Sequence, residues 1–197
     1  MRPTSRIAKL GMFVAAALVL YAVEAALPSL FPFLRLGLAN IVTVVVLLTM
    51  GFADAIIVTV LRVTIASLIV GTFAGPGYAL AMSGGLSAAV AMGLGSRLSP
   101  PLGVVGLSVI GAAAHNLAQL GVVAGLYTGA RGALVLVPMA LIVSGAAGLA
   151  TGLVAFFVLE KLPLPRQNRG SGARSRDGGA AGRAGPGTGA VAGGEAT

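Results

Sequence analysis

Along most of its 197 residues the chain repeats one pattern: a long apolar run, then a short break marked by proline, glycine or a charged side chain. At about 20 apolar residues per membrane crossing, the runs predict six helices: Ile7 to Leu27, Leu36 to Met50, Ala55 to Ala74, Tyr78 to Gly95, Leu102 to Leu126 and Ala133 to Leu159. The breaks between them hold Pro28 and Pro32, Gly51, Gly75-Pro76-Gly77 and Pro100-Pro101, residues that punctuate helices. The second run is short. Roughly 15 residues cover only ~22 Å at 1.5 Å per residue, so this helix either tilts into its neighbours or starts earlier, near Phe33. The expected fold is all-α: a polytopic membrane protein, residues 1–161 forming a compact bundle of six transmembrane helices. From Pro163 the pattern stops. Residues 162–197 read as a disordered Gly/Ala/Arg-rich cytoplasmic tail, because such a segment cannot bury enough apolar surface to offset its ordering entropy.

Composition strengthens the membrane reading. Hydrophobic residues make up 57% of the chain and charged ones only 9%, against about 25% charged in a soluble domain; mean hydropathy is +0.99. Most ionisable side chains lie within the first nine residues or after Val158. Arg2, Arg6 and Lys9 precede the first helix and Lys161, Arg166 and Arg169 follow the last, so the positive-inside rule puts both termini in the cytoplasm, as an even number of crossings requires. Arg97 falls on the same side; Arg35 and Arg131 fall outside and are exceptions. A cleaved signal peptide is the competing reading of the N-terminus. It fits less well, since the apolar run outlasts the usual ~7–15-residue core and Glu24 interrupts Ala22 to Ala26. The tail carries five arginines against Asp177 and Glu195, which suits anionic lipid headgroups. It has no aromatic residue on which a base could stack, so the net charge of +8 is no sign of nucleic-acid binding.

The chain has no cysteine and one histidine, which excludes disulfides, thiolate metal sites and cysteine nucleophiles. Before Glu160 the only carboxylates are Glu24 and Asp54, and no spacing suggests a metal site. Neither metal nor cofactor is expected. What stands out is polarity at membrane depth. An unpaired donor or acceptor in hydrocarbon costs several kcal/mol, yet the fifth run contains His115, Asn116 and Gln119 and the third contains Arg62. His115 and Gln119 are four residues apart and share a helical face, with Asn116 rotated about 100° from His115. Such groups serve either as interhelical hydrogen bonds, worth about 0.6 kcal/mol each on average, or as the wall of a cavity; the small residues Gly111 to Ala114 leave room for the second. Arg62 needs a counterpart, either Glu24 or an anionic or carbonyl-bearing ligand. Asp54 suits the start of the third helix, where a carboxylate meets the helix dipole.

Small residues recur at four-residue spacing: Gly85, Ala89 and Gly93; Ser144, Gly148 and Gly152; Gly11 with Ala15 and Ala22 with Ala26. They create faces on which backbones approach closely. For the fourth and sixth helices, packing within the bundle explains them. On the first helix, packing inside the chain and docking of a second membrane protein are equally good readings.

Taken in order, Leu36-Gly-Leu-Ala-Asn40, Leu61-Arg62-Val63 with Gly71-Thr72-Phe73, Ser83-Gly84-Gly85, and Ile110-Gly111 with His115-Asn116-Leu117-Ala118-Gln119 resemble a bacterial membrane family. It is known both as heptaprenyl diphosphate synthase component I and as the Gx transporter family. The likeness covers about residues 7 to 160, and the six-helix layout is more broadly similar to the S components of energy-coupling-factor transporters. The two labels imply different chemistry. Prenyl chain elongation needs clustered aspartates to hold magnesium against a diphosphate, and the chain has only Asp54 and Asp177, so no catalytic role is expected. A nucleotide-binding loop of the G-x-x-x-x-G-K-[ST] type is also missing. The S-component likeness implies a protein of the bacterial cytoplasmic membrane that captures a small polar or anionic solute in an intramembrane pocket. It also implies association with a transmembrane coupling subunit and ATPases, through Gly11, Ala15, Ala22 and Ala26 on the first helix. The pocket residues expected are Asn40, Arg62, Ser83, His115, Asn116 and Gln119. Two alternatives stand beside this: a non-catalytic membrane accessory of isoprenoid synthesis, and an assembly subunit without a ligand.

Overall fold

The computed structural model describes residues 3–26, 37–98 and 102–162. The expected breakers Pro28, Pro32, Pro100 and Pro101, the start of the second run at Leu36 or Phe33, Arg35, and the tail from Pro163 lie outside the described residues. The elements are α1 (Pro3–Ala26), α2 (Ala39–Thr49), α3 (Phe52–Val70), α4 (Pro76–Gly95), α5 (Val104–Val123), a π-helical turn (Ala124–Thr128) and α6 (Gly129–Lys161). No strand occurs among the described residues.

The expectation of six separate helices needs correction. Helical hydrogen bonding runs from Val104 to Lys161 as one 58-residue stretch, so the described residues form five helical runs, four of them long and apolar enough to cross a membrane. This is a helical membrane protein. The break expected between Leu126 and Ala133 is made without a loop, by the wider π-helical turn and Gly129, so helical hydrogen bonding runs through it. The stretch is nevertheless bent back on itself: Gly148 packs on Val109 and Gly152 on Val105, pairs centred between Thr128 and Gly129. Gly129, at φ +68°, takes the left-handed conformation that a reversal needs and that glycine adopts at least cost. α5 and α6 therefore form an antiparallel hairpin.

α2 also differs from expectation. It has 11 residues, about 16 Å of rise, and every residue from Ala39 to Leu47 is buried. A helix apolar on all sides belongs in a core, and α2 is where the core concentrates: Val44 and Val46 are fully enclosed, with Val14, Ala17, Val58, Ala88, Met92, Leu107 and Ala155 in the same cluster. The small-residue faces of α4 and α6 are used within the bundle. A Cβ on Gly148 would lie 2.5 Å from the Val109 Cα, and one on Gly152 would lie 2.9 Å from the Val105 Cα, so these backbones touch as small residues permit. On α4, Gly85 lies against Thr59 and Gly93 against the Phe52 ring of α3.

α1 is different. From Thr4 onward only Val14 and Ala17 are buried along it, while Gly11, Ala15, Ala22 and Ala26 are all exposed, with nothing within 4 Å of a Cβ built on Gly11. Its first turns are held by a salt bridge from Arg6 to Asp54 of α3. Asp54 does sit in the first turn of α3, but it is buried and faces Arg6 without capping the helix through its side chain. Arg97, past the end of α4, stands over the Phe52 ring at 6.0 Å. The starts of α1 and α3 and the end of α4 thus bring Arg6 and Arg97 to one end of the bundle.

Candidate functional site

At the opposite end, where α1, α3 and α5 finish and α2 and α4 begin, lies a cavity of about 100 Å³. Each helix supplies a wall for a local reason. α3 carries Arg62 two turns before it stops at Gly71, whose φ of +76° closes the helix in the manner of a glycine C-cap. α5 presents His115 and Gln119 on one face, as four-residue spacing requires. α2 brings Asn40 in its first turn, and α1 brings Tyr21 and Glu24, one turn apart.

Two adjacent glycines of α4 make this convergence sterically possible. A Cβ on Gly84 would fall 2.8–2.9 Å from the Cε1, Nδ1 and Nε2 atoms of His115, and one on Gly85 would fall 3.3 Å from Nη2 of Arg62. The imidazole and the guanidinium therefore lie against bare α4 backbone from its two sides. Asn40, Arg62, His115 and Gln119 are each more than nine-tenths buried. Gln119 Nε2 reaches the Leu80 carbonyl at 3.5 Å, but Gln119 Oε1 and Asn40 Nδ2 are buried with no hydrogen-bond partner among the described residues. An unmet buried polar atom costs about 1–3 kcal/mol, so these two are the groups a polar guest would satisfy.

Four of the six expected pocket residues, Asn40, Arg62, His115 and Gln119, line the cavity together. Asn116 and Ser83 do not. The extra 100° of helical rotation from His115 turns Asn116 toward α6, where its Nδ2 donates to Ser144 Oγ at 2.8 Å and that hydroxyl donates to the Ala140 carbonyl at 2.5 Å. Asn116 is interhelical glue for the hairpin. Ser83 donates to the Leu80 carbonyl of its own helix at 3.1 Å. It lies two positions beyond the cavity residue Ala81, about 200° around the helix.

Sequence reasoning missed Tyr21, Thr72 and the wall role of Glu24. Glu24 Oε1 accepts a 2.6 Å hydrogen bond from Gly37 N–H, just ahead of α2, where a carboxylate also meets the positive end of a helix dipole. A lone carboxylate inside an apolar run was the available signal. Among the described residues no group of three His, Cys, Asp or Glu side chains could hold a metal ion. The arrangement offers hydrogen-bond recognition: donors on Arg62 and Asn40, acceptors on Glu24 and Gln119.

The family described as heptaprenyl diphosphate synthase component I matches residues 13–158, nearly the whole described bundle. The chain belongs to that family. No curated protein and no solved structure matches it. The stretch shared with the heptaprenyl diphosphate synthase component I family contains all of the cavity residues, Tyr21 to Gln119, and both glycines behind them.

Proposed function

We propose that this chain is a substrate-capture subunit, akin to the S component of an energy-coupling-factor transporter, that holds a small polar or anionic solute in the cavity at the end of the bundle. The observation that carries this reading is the pair of buried, unsatisfied amide atoms, Asn40 Nδ2 and Gln119 Oε1, beside Arg62 in one cavity. Asn116 Oδ1 and Ser108 Oγ are also buried without a hydrogen bond among the described residues, but neither residue lines the cavity. The 58-residue helical hairpin crosses the membrane twice in this reading, and α2 enters it as a sixth, shorter member. Both termini are cytoplasmic, in a bacterial cytoplasmic membrane, because the cationic end with Arg6 and Arg97 faces inward. The cavity then lies toward the outer face, where a solute arrives. The exposed Gly11, Ala15, Ala22 and Ala26 are the docking face for a transmembrane coupling subunit, which with its ATPases supplies the energy. No catalysis is assigned to the chain itself.

The family description favours a second reading, a non-catalytic membrane accessory of heptaprenyl diphosphate synthesis. With only two aspartates in the sequence, one of them engaged by Arg6, the chain lacks the oxygen ligands that a magnesium diphosphate needs; its part would be association. Co-purification of the full chain from its native membrane separates the readings. Recovery of a coupling subunit, ATPases and a bound solute supports capture; recovery of a prenyl synthase without solute overturns it. Arg62→Ala and Asn40→Ala should each abolish solute retention while the protein stays folded, and retention unchanged in both refutes the cavity as the site.

A further inference from the structure

The cavity walls carry opposite formal charges. Glu24 comes in from α1 and Arg62 from α3, and each has a polar companion. Asn40, whose Nδ2 lies 3.0 Å from where a Gly37 Cβ would stand, sits beside the Gly37 N–H that Glu24 binds. Arg62 and His115 lie against the adjacent glycines Gly85 and Gly84. One Glu24 oxygen is engaged by Gly37, but a carboxylate accepts about four hydrogen bonds, so that contact anchors the group without exhausting it.

Resting on the capture reading above, we propose that the solute is a small dipolar molecule, net neutral, bearing both an amine and an anionic oxygen group, of the size of a short amino acid. Three observations converge on this class. First, Glu24 and Arg62 balance, so a monoanion or a monocation would bring net charge to membrane depth, where a charged group is penalised strongly; a zwitterion keeps site and guest neutral. Second, the two amide side chains that line the cavity each leave one atom unmet among the described residues, a donor on Asn40, Nδ2, and an acceptor on Gln119, Oε1. A guest that only accepts leaves Gln119 unmet, and a guest that only donates leaves Asn40 unmet, each penalised on the scale of a lost buried hydrogen bond. Third, the space is about 100 Å³, whereas an engineered cavity of roughly 150 Å³ holds benzene. That admits about six non-hydrogen atoms and is far too small for a prenyl diphosphate.

The test uses the purified full chain in detergent, with glycine, L-alanine and β-alanine as zwitterionic probes against acetate and methylammonium at equal concentration. Binding is read by equilibrium dialysis and by the shift in unfolding temperature. At least one zwitterion should bind about tenfold or more tightly than either single-charge probe, a difference of about 1.4 kcal/mol. Glu24→Gln should move the preference toward acetate by a similar factor, and a chain that is merely weakened would lose both probes together. Acetate binding the unaltered chain as well as the zwitterions overturns the dipolar class while leaving the capture reading intact, as does a preference unmoved by Glu24→Gln. Failure of all five probes also overturns it. In that case solute recovered from the native-membrane preparation preserves the capture reading, and its absence removes that reading as well.

Discussion

Alanine at Gly84 is the most direct probe of how the site is held. Its Cβ would stand 2.8 Å from Cε1 of His115 and 2.9 Å from both ring nitrogens, where carbon contacts normally settle at about 3.5–4.0 Å. The imidazole must then retreat by about 0.7 Å or more, or α4 must move away from α5. Overpacking of a filled site costs about 1–3 kcal/mol. In a His115→Ala background the ring is gone and the added methyl group enters the space it leaves, so the same substitution should cost close to nothing. Four proteins complete the cycle: the unaltered chain, each single variant and the double variant, unfolded reversibly in mixed detergent micelles and followed by circular dichroism. The expected coupling is about 1–3 kcal/mol, within the range seen for residues in contact. Gly145→Ala is the control, because nothing lies within 4 Å of its Cβ position; relief of a mid-helix glycine should stabilise by about 0.5–1 kcal/mol. An equal loss from Gly84→Ala in both backgrounds would refute the packing of His115 of α5 against Gly84 of α4.

Gly148→Ala should cost more than Gly152→Ala in the same unfolding assay, because its Cβ would meet the Val109 Cα at 2.5 Å rather than the Val105 Cα at 2.9 Å, and backbone cannot rotate away. Arg6→Gln should destabilise the chain by leaving the buried Asp54 without its salt bridge. Adding Asp54→Asn to that variant should restore part of the loss, which thermal unfolding of the single and double variants will show. Gly11→Leu should leave the unfolding midpoint nearly unchanged, since the position opens outward, yet reduce co-purification of a coupling subunit; undiminished recovery would remove α1 as the docking face. Asn116→Ala should weaken the hairpin by about 0.6–2 kcal/mol without loss of solute retention, as dialysis on the folded variant can check.

The helical class was legible because apolar runs long enough to cross a bilayer have few other solutions, and the helix boundaries of α3, α4 and α5 fall within a few residues of the expected ones. The place of the reversal between the last two runs was legible, since Gly129 falls in the expected gap between Leu126 and Ala133; that the turn is π-helical and leaves Val104 to Lys161 as one helical stretch was not, because no local residue pattern marks such a turn. Spacing placed His115 and Gln119 on one face correctly, since a helix fixes that relation locally. It could not say which partner that face meets. Asn116 and Ser83 were grouped with the site by polarity alone, and their direction depends on the rotation of α5 against α6 and of α4 against α3, which arises from packing of Gly148 on Val109 and Gly85 on Thr59. Glu24 was read as a possible counterpart of Arg62; that it caps the approach to α2 through Gly37 N–H requires knowing which helices are neighbours.

α1 meets the core only along the side that carries Val14 and Ala17, and a small tilt of the helix would be felt at the cavity. Its outward side bears Gly11, Ala15, Ala22 and Ala26, its far end carries Tyr21 and Glu24 into the cavity wall, and its near end is fastened at Arg6. From Arg6 to Glu24 the arm is about 27 Å long at 1.5 Å per residue. A tilt of about 5° around the fastened end therefore carries the carboxylate roughly 2 Å, comparable to the difference between a hydrogen bond made and one broken. On the capture reading proposed above, a protein that grips α1 from outside would thereby change the width of the cavity, and a guest that draws Glu24 inward would change the angle at which α1 is offered to that protein.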